Sequence, residues 1–181
     1  VGRSDRRELL SARICAGLGL AFEIAWLIWD GIRSARFPVT GAAEGFIFLT
    51  CAMIAIAFLL DGLKGWTILF VATLPLAAVT SLLAVALNFA PAPAPGAAPA
   101  NLSSLWLGLH IFTALGAYAA FALAFIAGIL YLTAQRQLKV HASGSILGWM
   151  PPLETVLRLM RRATFAGVLM QAGGLVVGYL Q

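Results

Sequence analysis

SSLWLGLHIFTALGAYAAFALAFIAGILYLTAQRQLK, residues 103–139, is the stretch that decides the fold. Between Leu105 and Thr133 it contains one histidine, His110, and no Asp, Glu, Lys or Arg occurs before Arg136. About 20 predominantly apolar residues carry a helix across a bilayer core, so this run predicts a spanning helix with length to spare. A membrane β-strand would alternate apolar and polar residues over about ten positions, and this stretch does not.

The same criterion, carried outward, finds four more runs. The reading is an all-α, polytopic transmembrane helix bundle with five spans, at about 9–29, 42–60, 66–90, 105–133 and 163–180, forming a single transmembrane domain over residues 1–181. Pro75 is expected to bend the third span, and DGLKG (61–65) reads as a tight turn. PAPAPGAAPAN (91–101) reads as a semi-rigid extended spacer, and residues 135–162 as the longest polar segment. The first run has a basic start, but its length, Glu23 and the absence of a small-residue cleavage site favour a retained helix over a signal peptide.

Composition agrees with this reading. Of 181 residues, 61% are hydrophobic and 10% charged, against roughly 25% charged in a soluble domain. That leaves too little polar surface to coat a globule, and it argues against a nucleic-acid partner, a disulfide scaffold and a disordered tail. Membrane lipid is the expected surrounding. Cys15 and Cys51 lie in separate apolar runs and are expected to be inert, buried thiols.

Basic residues set the orientation. Arg3, Arg6, Arg7, Arg13, Lys64, Arg136, Lys139, Arg158, Arg161 and Arg162 collect on one side, and only Arg33 and Arg36 on the other. Cytoplasmic loops carry the excess of Lys and Arg. The N-terminus is therefore expected in the cytoplasm, and the C-terminus and Pro/Ala spacer outside.

Few residues can carry chemistry. His141 falls in the long polar segment and reads as a solvated spectator. His110 sits a turn or two below the outer surface, where an ionisable group is a functional-site hypothesis by default. Two readings of it stand: a neutral imidazole bonded to a neighbouring helix, or an axial ligand to haem iron, which imidazole binds well. Ala114, Ala117 and Phe121 lie below it on one helical stripe; the alanines leave room for a flat ligand and the aromatic can pack on its edge, and the same pattern suits close helix packing.

Glu23 lies mid-membrane with no basic residue at its depth, so a neutral, hydrogen-bonded acid is favoured over a proton relay. Glu44 opens the second helix, where its charge suits the helix dipole; Arg33 and Arg36 across the loop could pair with it or with a ligand's carboxylates. Trp26, Trp29, Trp66 and Trp106 fall near helix ends, as interfacial anchors do. Gly174 and Gly178 make a GxxxG face for close approach of another helix, in this chain or outside it.

With the helices oriented, residues 103–139 resemble one helix of the cytochrome c assembly superfamily, which includes CcsA, ResC, CcmC and HemX-like proteins. The matching positions are Trp106, His110, Tyr118, Phe121, Ala122, Tyr131, Leu132 and Arg136. FPVTGAAEGF (37–46) is similar to the family's outer-loop Pro and Glu, and MPPLETVLRL (150–159) to its cytoplasmic segment before a Gly-rich helix.

The resemblance implies a multi-pass inner (plasma) membrane protein that handles haem b, with His110 as the haem iron's axial ligand and Trp106 close to it. Arg33 or Arg36 would meet the propionates. Apocytochrome c and another membrane subunit are the implied partners. The family's tryptophan-rich WWD segment and its further histidines belong after the fifth helix and are not found in residues 1–181. The chain is thus expected to be either the N-terminal part of a CcsA-like protein or a HemX/YpjD-like accessory or regulatory subunit without bound haem. No self-contained catalytic site is read in it. A transporter would want internal repeats and broken helices, for which the sequence offers little.

Overall fold

A computed structural model describes residues 3–34, 39, 41–89, 104–139 and 151–179. The described residues form five α-helices: α1 (Arg3–Ser34), α2 (Ala42–Lys64), α3 (Thr67–Asn88), α4 (Ser104–Lys139) and α5 (Leu153–Tyr179). Each helix but α3 outruns its apolar run, because nothing breaks the backbone ladder where the side chains turn polar. The Pro/Ala spacer, Arg36 and His141 lie outside the described residues.

Among the described residues four helices are long and apolar enough to cross a membrane: α1 over Arg7–Arg33, α2, α3, and α4 over Trp106–Lys139. α5 differs. Its first turns, LETVLRLMRR, carry Glu154, Arg158, Arg161 and Arg162, and its apolar part is correspondingly short.

DGLKG is not a free-standing turn. Helix α2 continues through Asp61–Lys64 and ends at Gly65, which adopts the left-handed conformation at φ 66° and donates its N–H to the Asp61 carbonyl at 2.8 Å. Only glycine enters that region without a steric penalty. Gly65 and Trp66 alone separate α2 from α3, so the two pack as an antiparallel hairpin. Pro75 sits inside α3 without interrupting it.

Buried hydroxyls join this hairpin. Thr50 of α2 and Thr80 of α3 lie 2.6 Å apart, oxygen to oxygen. A hydroxyl has one proton, so one of them donates across the interface while the other keeps its bond to its own helix, to the Phe46 carbonyl or to that of Leu76 or Ala77. Neither group could find water in such a core.

The most extensive helix contact is α4 on α5, and small residues make it close. A Cβ added at Gly167 would stand 2.6 Å from the Phe121 ring, and one at Gly174 would stand 2.9 Å from Thr113 Oγ1. Met170 in turn lies over Gly116. The GxxxG face therefore receives α4 of the same chain. Apolar clusters then link the layers: Met53, Ile54, Ala77 and Ala119 join α2, α3 and α4, while Leu69, Ile126, Ala127 and Val156 join α3, α4 and α5.

Helix α1 packs chiefly on α2, and much of it is outward-facing, including Ile14, Leu18, Phe22 and Ile28. Cys15, expected to be buried, is exposed on that outer face, whereas Cys51 is buried. Polar contacts help to tie α1 down, the first of them at Arg13. Arg13 meets the buried Asp61 carboxylate at 2.8 Å, and Thr67 donates to the other carboxylate oxygen at 2.8 Å.

Removing Arg13 would leave Asp61 buried with its cation gone. Arg13→Ala is expected to cost about 1–3 kcal/mol, and Thr67→Val, which deletes one hydrogen bond, about 1 kcal/mol; thermal unfolding in detergent reads both. The α4–α5 contact gives a paired test by the same method. Gly167→Ala is expected to lower the melting temperature by collision with Phe121, while Gly173→Ala, whose Cβ meets nothing within 4 Å, is expected to leave it unchanged or raised.

Candidate functional site

His110 lies on the second turn of α4, at the end of the bundle that also holds the start of α2 and the end of α5. Its Nδ1 lies 2.7 Å from the carbonyl oxygen of Gly174 on α5. A carbonyl only accepts, so the proton of this bond sits on Nδ1. In the neutral ring, Nε2 then keeps an unshared lone pair. Gly178 makes the approach possible: a Cβ there would stand 2.9 Å from both Cε1 and Nδ1 of the imidazole.

The two readings of His110 therefore meet in one geometry. The ring does bond a neighbouring helix, as a structural histidine would. The same bond fixes the tautomer and aim of the ring, which is how metal-binding histidines are commonly held.

A cavity of about 560 Å³ opens between α2 and α4 beside this histidine. It is lined by Val39, by Gly41, Ala42, Gly45, Phe46 and Leu49 of α2, and by His110, Ile111, Ala114, Leu115 and Tyr118 of α4. Ligand pockets range over about 300–1,000 Å³ and are mostly apolar with a few placed polar groups; this one has His110 and the Tyr118 phenol. At its rim Glu44, in the first turn of α2, folds its carboxylate back against Gly41, where any side chain would collide with it. An acid there complements the helix dipole as expected.

The sequence-derived residues divide. His110 and Ala114 line the cavity. Ala117 is fully buried and Phe121 lies in the groove at Gly167 of α5, and neither lines the cavity. Trp106 and Arg33 are exposed and do not line the cavity, and Arg36 falls outside the described residues. The second wall, from α2, was missed. Its signal was present as GAAEG (41–45), small residues at helical spacing that leave space in front of α4.

Among the described residues no group of three or more His, Cys, Asp or Glu could enclose a metal ion. The donor set fits instead a metal that arrives in its own equatorial ligand, as haem iron does, and needs only an imidazole from the protein.

Comparison with known proteins accords with that chemistry. Residues 40–180 match the model of a family described as cytochrome C assembly protein. No curated protein and no solved structure matches the chain. The matched region takes in α2 to α5, and with them His110, Gly174, Gly178 and the cavity. The chain is a membrane protein with a role in cytochrome c biogenesis, and it belongs to the cytochrome c assembly protein family.

Proposed function

We propose that this chain holds haem at the extracytoplasmic face for covalent attachment to CxxCH-bearing apocytochrome c, with His110 as an axial ligand. The bond from Nδ1 to the Gly174 carbonyl carries the reading, because it leaves Nε2 as the nitrogen free to meet iron. The cavity beside His110 supports it with space and an apolar lining. Haem is the cargo here, and its iron supplies the affinity for imidazole. The protein's part is to aim one ring, keep water away and present the bound group at the surface.

In this reading the chain is one transmembrane domain of five spans in the inner membrane. Its N-terminus lies in the cytoplasm and its C-terminus outside, and α5 completes its crossing against α4. The ten-to-two distribution of basic residues supports that orientation. It places α2's first turns, His110 and the end of α5 on the outer side. A second axial ligand comes from outside residues 1–181 or from a partner subunit, and Arg33 or Arg36 meets the propionates as haem seats.

One observation favours a second reading. His110 already joins α4 to α5, so an accessory subunit of the HemX-like kind, holding no haem, would keep the same histidine for packing alone.

Absorbance spectra of the purified protein from haem-replete cells separate the two. The haem reading expects a Soret band that His110→Ala abolishes. Gly178→Val, which pushes the imidazole off the Gly174 carbonyl, is expected to weaken haem affinity about 10- to 100-fold while the far-ultraviolet helix signal persists. No band in the wild type leaves the accessory reading standing, and a band unchanged in His110→Ala overturns His110 as the ligand.

A further inference from the structure

A second cleft lies away from His110, and its lining shares no residue with the first cavity. It encloses about 270 Å³ between α1 and α3 against Ile47 of α2, and is lined by Phe22, Glu23, Trp26, Ser81 and Val85, among others. Along α3 it runs from Ser81 to Asn88, roughly 10 Å at the helical rise. Phe22 and Val85 at its edge are 73% and 55% exposed, so the cleft opens sideways, toward lipid.

Glu23 forms its floor. Ten residues separate it from Arg13 and ten from Arg33, about 15 Å each way, which is half of a bilayer's hydrocarbon core. A carboxyl at that depth is costly and marks a functional site by default. Ser81 Oγ donates to Glu23 Oε1 at 2.6 Å and Cys51 Sγ to Oε2 at 3.4 Å. Each oxygen has a further lone pair, and among the described residues no Lys, Arg or His lines the cleft. Acyl chains cannot serve those lone pairs, so a ligand that enters from the lipid and carries a donor gains a bond there.

The lining also chooses among donors. An ammonium head would bring three N–H groups and a full charge, which is costly at that depth, into a lining whose polar side chains are Glu23, Ser81 and Asn88. A hydroxyl brings a single donor, and Glu23 satisfies it. Phe22 and Trp26, at i and i+4 on α1, flank Glu23 and offer ring surface to a planar body.

We propose that the cleft between α1 and α3 is a second ligand site that takes a membrane-soluble aryl alcohol, its hydroxyl on Glu23 and its ring against Phe22 and Trp26. The site is independent of haem at His110 and stands or falls separately.

The full chain, reconstituted in lipid nanodiscs, tests this with a diazirine-bearing para-alkylphenol mapped by mass spectrometry after photolysis. Labelling is expected on the α1 and α3 segments that line the cleft. Para-octylphenol is expected to compete about tenfold better than para-octylanisole, which differs by the lost hydroxyl proton, and better than octylamine. Glu23→Leu should erase the preference for phenol over anisole. Val85→Trp fills the cleft without touching Glu23 and should suppress labelling while the fold is retained. Equal competition by anisole, preference for the amine, a phenol preference that survives Glu23→Leu, or label spread evenly over lipid-facing residues each overturns the proposal.

Discussion

The bond between His110 and the Gly174 carbonyl joins α4 to α5 beside the larger cavity, and it depends on a missing side chain. Gly178 has no Cβ, so the imidazole can lie flat on α5 and reach a carbonyl one turn away. That carbonyl belongs to a helix and has a second lone pair to offer. The bond fixes which ring nitrogen carries the proton and which way the imidazole faces.

Small residues elsewhere on the same interface do related work. Gly167 admits Phe121, Gly174 admits Thr113, and Gly116 lies under Met170. Lipid tails are as apolar as leucine, so helices in a bilayer associate through close packing and hydrogen bonds instead of a hydrophobic drive. The α4–α5 pair is built for close packing. The α2–α3 pair adds buried hydroxyls at Thr50 and Thr80. α1 is held differently, by polar knots at Asp61 and at Glu23 along an otherwise outward-facing helix. Asp61 and Glu23 thus sit where α1 is fastened, and at Glu23 the fastening leaves a cleft beside it.

Much of the fold was legible because bilayer thickness is a length constraint that a linear sequence can meet or fail to meet. The runs around Ala42–Leu60, Trp66–Ala90 and Leu105–Thr133 met it and became α2, α3 and α4. Helix ends were less legible, since backbone hydrogen bonding continues after apolar character stops, as at Asp61–Lys64 and in the Arg-rich start of α5. His110 stood out on similar grounds: an imidazole in an apolar run is conspicuous without any structure.

Chain order alone therefore determined an all-helical membrane architecture, the singular position of His110 and the presence of a glycine face on the last helix. It could not say that the face and the histidine belong to one contact, because Gly178 and His110 are far apart in sequence and only antiparallel packing of α4 on α5 brings them together. Nor could it decide which side of His110 lies open. Phe121, which shares its stripe, turned into the α5 interface, while space opened toward Gly41, Ala42 and Gly45 at the start of α2. Helical periodicity tells which residues share a face, but which neighbour that face meets depends on where the other helices fit.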